Sequence, residues 1–534
     1  ATISHKVAGI ASLSNFEAAK ERSFGMEKCA QDALLFFLPF AAAGLFLVKN
    51  RKLGSLAVLL GYALAAAQAL CAAVLNRDLD YFVFMRLDWD MLRMAPLVMA
   101  ATSAVFAGLT LAVLTVVWLN WTGRLRRVFA PKRRFPRLGL LAACALAVAF
   151  SPVTSVYREM LESWRQYART SSCSEAELFA ALGARREPVA EADVAAEAGR
   201  NIVVVYCESL ENNFLDREDF PDSLPRLHRL ADSGWTLWDN YKCVSGATWT
   251  VGALYATQTS FPAFFGGAGD DIFNRVESSR LTSYARVMRR AGYDCLFLAG
   301  CELGFGGTGG LMKTLGYRVK GARDFEKGCE KTVWGAHDFD LFEQAKLEYS
   351  RLSAAGRPFN LTLLTVDTHF TKGLPDARLK DKVAPAVPPM SHEYCVACLD
   401  YLLGDFVDFV EAQPGGRETA IVVLGDHLMM GSENNTPILK RLKKRARTVA
   451  LLTNRRAAGW DPRGEIGFYN VPRLILDLAE VKHNALFLDG LVPNISPRTI
   501  EAHSAALTAL NLRLTVQKAA DSKAGQKTPR RREK

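Results

Sequence analysis

The stretch Asn201 to Asn213, NIVVVYCESLENN, decides how the chain is read. Its run from Ile202 to Tyr206 lacks polar alternation, so it reads as a strand covered on both faces, and such strands belong to parallel sheets sandwiched by helices. The run gives way to a carboxylate, Glu208. Open α/β sheets place their chemistry beyond the carboxyl ends of the strands, which makes Glu208 a candidate metal ligand or base. The competing reading of the same residue is a helix N-cap acid.

Outward from this strand, strand-like and helical stretches alternate. Strands are expected at Thr236 to Tyr241, Asp294 to Leu298, Asn360 to Val366, Ala420 to Leu424 and Val449 to Thr453. Helices are expected at Ser223 to Ser233, Trp249 to Thr257, Ser278 to Ala291, Asp338 to Leu352, His392 to Ala412 and Val471 to Leu478. The alternation implies one α/β domain with a mostly parallel central sheet. A second buried run, in TAIVVLGDHLMMG, ends at Asp426 and His427. Two carboxylates and an imidazole released on one sheet edge suit Mn²⁺, Mg²⁺ or Zn²⁺ better than a thiolate-selecting metal.

A nucleophile is offered by SGATWTVGALYATQ. Thr248 is read as heading a short helix, where free amides and the helix dipole favour a phosphate. A hydroxyl held against a metal there is activated to attack phosphorus. Thr250, two residues on, is the competing nucleophile, and an ordinary Thr N-cap is the other reading of Thr248.

The remainder of the chain is of a different kind. Of 534 residues 50% are hydrophobic, and from Cys29 to Ser151 Leu, Ala, Val and Phe dominate. Four stretches approach the roughly 20 apolar residues that span a bilayer: Ala33 to Val48, Leu56 to Leu75, Ala95 to Leu119 and Leu138 to Val153. Ala1 to Lys28 has no apolar core, so no cleavable signal peptide is expected. Basic loops around Lys49 to Lys52 and Arg124 to Arg137 are expected inside, and the acidic Asn76 to Leu92 outside, which delivers everything after Val153 to the outer face. The net charge of +11 is concentrated in the 124–137 loop and the terminal PRRREK, so no nucleic-acid surface is expected. Among eleven cysteines the one CxxC, Cys395 and Cys398, lies in a helical pattern and lacks a second pair, so core packing or a local disulfide is expected ahead of metal. The domains expected are a tail (1–28), a transmembrane domain of about four helices (29–153), a juxtamembrane helical linker (154–200), an extracytoplasmic catalytic domain (201–512) and a disordered basic tail (513–534).

NIVVVYCESLENNF, GATWTVGAL, WGAHDFDLF, LTVDTHF and VVLGDHLMM together resemble the alkaline phosphatase and sulfatase superfamily. Within it they resemble the membrane-anchored lipoteichoic acid synthases and, more closely, the phosphoglycerol transferases of periplasmic glucans. The resemblance runs from about Asn201 to Asp489 and implies an α/β sulfatase-like domain behind a helical transmembrane bundle. It implies Glu208, Asp426 and His427 as metal ligands, with Thr248 as fourth ligand and nucleophile, and Mn²⁺ as the first choice of ion. It implies His369 near the transferred phosphate, with Trp334 and His337 in a WGxxD-like motif and Glu302 and Phe305 in place of the glycerophosphate-binding residues of the lipoteichoic acid enzymes. The implied reaction moves glycerophosphate from phosphatidylglycerol to a glycan or polymer through a phosphothreonine, in the bacterial inner membrane with the catalytic domain on the periplasmic face. The alternatives are a phosphoethanolamine transferase and a catalytically inactive membrane scaffold or sensor. Sulfatase activity is disfavoured, because Cys243 is followed by VSGA and lacks the Cys-x-Pro-x-Arg pattern.

Overall fold

A computed structural model of the protein describes residues 26–75, 96–125, 137–170, 172–265, 273, 279–369, 372–430, 437–442, 445–446 and 448–515. The chain divides into two compact units, with the division at Ser172 and Cys173. The expected outer loop Asn76 to Leu92, most of the basic 124–137 loop and the tail beyond Thr515 lie outside the described residues.

The first unit is helical: α1 (Met26–Ala42, continued by a π turn), α2 (Arg51–Leu75), α3 (Pro96–Trp121), α4 (Arg137–Ala149) and α5 (Pro152–Thr170). Among the described residues one helix, over Arg51–Leu70, is long and apolar enough to cross a membrane. The pair Leu138–Ala149 and Pro152–Glu162 is long and apolar enough only when taken together and is bent by 61°, and Gln31–Leu47 and Phe106–Trp121 are shorter apolar helices. Where α2 meets α3, Asn120 Nδ2 donates to Ser55 Oγ at 3.0 Å and the Tyr62 and Thr110 hydroxyls lie 2.6 Å apart, polar links between two apolar helices.

The second unit is built on a seven-stranded sheet: β1 (Ile202–Cys207), β2 (Thr236–Leu237), β3 (Asp294–Ala299), β4 (Arg318–Lys320), β5 (Phe359–Leu364), β6 (Ala420–Gly425) and β7 (Leu451–Thr453), in the order β2-β7-β6-β1-β5-β3-β4. The sheet is mixed. The strands run parallel except β7, which is antiparallel to both β6 and β2. The reason is local: the chain leaves β6 at its carboxyl end, forms the site loop, and re-enters the sheet from that same end.

β1 is central, flanked by β5 and β6, and every residue of it is buried. Alternation divides it between two cores. Ile202, Val204 and Tyr206 pack into one with helix α6 (Thr250–Thr259), while Val203, Val205 and Cys207 pack into the other with α7 (Asp338–Ala354) and α8 (His392–Ala412). Burial of each such aliphatic side chain stabilises by about 1.5–3 kcal/mol, so the strand ends are fixed firmly enough to hold charged groups against one another.

Several boundaries differ from the sequence reading. The expected strand Thr236 to Tyr241 is two short strands, because Tyr241 pairs away from the sheet with Ile466. The expected helix from Ser278 begins at Tyr284, capped by Ser283. Cys395 and Cys398 are buried free thiols on α8.

Candidate metal centre and nucleophile

Register sets the site. Cys207 of β1 lies opposite Gly425 of β6, so the next residues, Glu208 and Asp426, leave the sheet side by side. Gly425 is required there, since a Cβ would lie 2.1 Å from the Leu210 carbonyl oxygen. Ser209 adopts a left-handed backbone, φ 54°, a conformation that costs a non-glycine residue about 1–2 kcal/mol. What that turn achieves is a double grip: the Ser209 amide donates to Asp426 Oδ1 at 2.8 Å and its hydroxyl to Glu208 Oε1 at 2.6 Å.

Glu208, Asp426 and His427 offer one ligand atom each within 4.8 Å of one another, and all three are buried. His427 Nε2 lies 3.5 Å from Glu208 Oε1 and 3.5 Å from Asp426 Oδ2. Its Nδ1 faces the Leu428 carbonyl at 2.8 Å. A carbonyl only accepts, so Nδ1 carries a proton, and Nε2 is the atom turned to the two carboxylates, the one a metal-binding histidine would offer.

Two buried carboxylates crowd this edge. Burial and Glu208 push the Asp426 carboxyl up to about 7. Burial also pushes Glu208 up, but His427, His369 and the Ser209 and Thr250 hydroxyls hold it below its ordinary value. Asp426 Oδ2 is fully buried with no hydrogen-bond partner. A carboxylate oxygen without a hydrogen bond, beside a second carboxylate and an imidazole nitrogen, fits a divalent ion.

Helix α6 starts at Thr250, not at Thr248. Thr250 Oγ1 donates to Glu208 Oε2 at 3.2 Å and lies 3.3 Å from His427 Nε2, whereas Thr248 is exposed in the preceding bend. The expectation that Thr248 heads the helix is therefore corrected by two residues. The cause is the turn at Gly246, φ 80°, followed by an extended Trp249: the helix cannot begin until the chain has turned back under the sheet edge.

The remaining expected residues fall around this centre. His369 stacks on Trp334 with ring centroids 4.4 Å apart, and Trp334 meets Phe305 at 5.1 Å. The Glu302 amide donates to the Trp334 carbonyl at 2.8 Å, and its carboxylate pairs with Arg323 at 3.0 Å. A Cβ on Gly306 would lie 2.7 Å from Val251 Cγ2, so the GCELGFGG loop packs on the first turn of α6. His337 is turned to a different task, its Nδ1 lying 3.0 Å from Asp367 Oδ1. Asp367 also accepts from the Asp338 amide, while Asp338 accepts from the amides of Val366 and Asp367. This reciprocal lock holds the loop that carries Thr368, whose hydroxyl donates to the Glu208 carbonyl at 2.5 Å, and His369.

Sequence reasoning missed Ser209, Thr365, Glu211 and Arg445. The Thr365 hydroxyl accepts from the Glu208 amide at 3.0 Å. Glu211, fully buried, accepts from the Met429 amide at 2.9 Å and pairs with Arg445, which donates to the Met429 carbonyl at 2.7 Å. Both polar groups of Met429, two residues past His427, are thus gripped by one ion pair. The signal available for Glu211 was the second acid in ESLEN.

Residues 200–449 match the Sulfatase family. Phosphoglycerol transferase I of Xanthomonas campestris is 28% identical over 353 residues, covering 64% of this chain and 47% of that protein. The chain thus spans about half the length of the curated relatives it matches. Among solved structures, the integral membrane lipooligosaccharide phosphoethanolamine transferase EptA of Neisseria meningitidis is 13% identical with a TM-score of 0.47, covering 90% of this chain and 95% of that one. The lipoteichoic acid synthase LtaP of Listeria monocytogenes is 17% identical with a TM-score of 0.45, covering 59% and 79%.

Proposed function

We propose, from the premise that residues 200–449 form a domain of the sulfatase and alkaline phosphatase superfamily, that the protein is a phosphoglycerol transferase with Thr250 as its nucleophile. The donor is phosphatidylglycerol and the acceptor a hydroxyl of an extracytoplasmic glycan or polymer. The observation that carries this reading is the Thr250 hydroxyl at the head of α6, within hydrogen-bonding distance of both Glu208 and His427.

Glu208, Asp426 and His427 would hold a divalent cation, Mn²⁺ first, with Mg²⁺ or Zn²⁺ as alternatives; when bound it would draw charge from the phosphoryl oxygens and from the attacking hydroxyl. Thr250 Oγ1 forms a bond to phosphorus, the bond from phosphorus to the diacylglycerol oxygen breaks, and the proton lost by Thr250 ends on that departing oxygen. His369, stacked on Trp334 and close enough to Glu208 to lower its pKa, is the imidazole available to carry it. An acceptor hydroxyl then displaces Thr250 from phosphorus, returning the free side chain. The amides at the start of α6 face the phosphate throughout. His337 acts from behind this pocket by holding the 365–369 loop.

The transmembrane arrangement belongs to the same proposal: about four spans, an inner-membrane location and the catalytic unit on the periplasmic face. A lipid donor confined to the same bilayer would reach the site by diffusion in two dimensions. Incubating the full chain with phosphatidylglycerol or phosphatidylethanolamine vesicles and scoring diacylglycerol release tests the donor. Release from phosphatidylglycerol is expected; release from phosphatidylethanolamine alone would assign a phosphoethanolamine transferase, and release from neither would leave the inactive scaffold.

A further inference from the structure

Exposed large apolar side chains are ordinary when they are scattered singly over a surface. Among the described residues from Cys173 onward they are few. They are Val333 (83% exposed), Met390 (57%) and Met430 (37%), and each belongs to a loop that builds the site. Val333 precedes Trp334, which stacks on His369. Met390 lies two residues before His392, whose Nε2 bonds the Thr368 carbonyl at 2.8 Å. Met430 follows Met429, the residue gripped by Glu211 and Arg445.

Met390 is also held with φ 55°, a left-handed conformation that costs a side-chain-bearing residue about 1–2 kcal/mol. A strained backbone that presents a methionine to solvent is not explained by packing. The same loops carry cations. Lys331 stands two residues before Val333, and Lys372 sits in the turn closed by the Gly373 amide on the His369 carbonyl at 3.0 Å. Both lysines are exposed, and no ion pair joins either to a carboxylate among the described residues. Apolar side chains beside cations suit one kind of surface, that of an anionic phospholipid, whose acyl chains take the first and whose phosphates take the second.

We infer that the rim formed by Val333, Met390 and Met430, with Lys331 and Lys372, is the surface on which an anionic phospholipid seats its glycerol-acyl portion while its phosphodiester reaches Thr250. The inference rests on the lipid-donor reading above. A glycan acceptor, polar throughout, would be served by neither feature.

The test separates lipid seating from the chemistry. The full chain is assayed on phosphatidylglycerol vesicles and on a small soluble phosphodiester, bis(p-nitrophenyl) phosphate, as wild type, as V333S/M390S/M430S and as K331E/K372E. For the apolar triple variant kcat/KM on the lipid is expected to fall at least about tenfold, through KM, while the soluble ester stays within about twofold. For K331E/K372E the lipid KM is expected to rise and to depend less on added salt. Unaltered lipid turnover in both variants, or an equal loss on both substrates, overturns the rim. A wild type that cleaves the soluble ester and no phospholipid overturns the lipid-donor reading and the rim with it, so the two failures are distinguishable.

Discussion

The second unit holds two buried groups of histidine and carboxylates with the spacing of a metal site: Glu208, Asp426 and His427, and His337, Asp367 and Asp376. They differ in how their charge is met. In the second, Asp376 is paired with Arg378 at 2.7 Å, Arg378 also pairs with Asp340, and Asp367 is engaged by His337 and the Asp338 amide. In the first no lysine or arginine touches the carboxylates among the described residues, and Asp426 Oδ2 has no hydrogen-bond partner. Ligand type and spacing are shared; a resident cation is not. The first group is therefore read as a metal centre and the second as a structural lock behind it.

The sharpest ways to break that distinction are substitutions in the first group. Thr250→Val is expected to lower transfer by at least about 10⁴-fold with the fold intact, whereas Thr248→Val, at an exposed position, is expected to stay within about threefold. Steady-state rates on phosphatidylglycerol decide it. Asp426→Asn is expected to remove bound metal and about 10³-fold of the activity. Asp376→Asn is expected to leave metal stoichiometry, measured by elemental mass spectrometry, unchanged and to cost about 1–3 kcal/mol of stability by removing the buried one of the carboxylates that hold Arg378. Metal lost from Asp376→Asn and kept by Asp426→Asn would invert the assignment.

A smaller effect is expected at the Met429 clamp. Arg445→Met and Glu211→Gln leave the three ligands in place but loosen the peptide that orients His427, so metal affinity is expected to weaken by about 10- to 100-fold. Titration of metal into the apo protein measures it, and an unchanged affinity would reduce the clamp to a fold element.

The smallest effect is a pH dependence in the second group. Against the burial that lowers it, hydrogen bonding to Asp367 and its charge hold the His337 pKa above its ordinary value. A histidine whose folded pKa is raised adds stability that is fully present below the unfolded value, about 6.5, and is lost as pH rises through the folded one. The gap in Tm between wild type and His337→Asn is thus expected to be larger at about pH 5.5 than at about pH 8.5. A gap that is constant or grows with pH would contradict the pairing.

Sequence made the strand ends legible and the turn between them less so. β1 and β6 are buried on both faces, so their periodicity alone announced Glu208, Asp426 and His427 at one edge, and α8 and the helix Val471–Leu478 fall where the pattern placed them. The start of α6 falls two residues later than the sequence pattern suggested because Gly246 and the extended Trp249 delay the helix, a matter of backbone angles that composition does not encode. A motif says which residues gather and not which way each ring faces, so the contact of His337 with Asp367 was not legible in the WGxxD-like pattern. Glu211 and Arg445 lie 234 residues apart, and nothing local joins them.

The central claim is that Thr250 carries the transferred group. The full chain, quenched in acid during turnover of phosphatidylglycerol vesicles and digested, yields a peptide containing both Thr248 and Thr250, and fragmentation in the mass spectrometer locates any adduct. A glycerophosphate ester on Thr250 is the expected result; the same ester on Thr248, or no adduct while diacylglycerol is released, would contradict it.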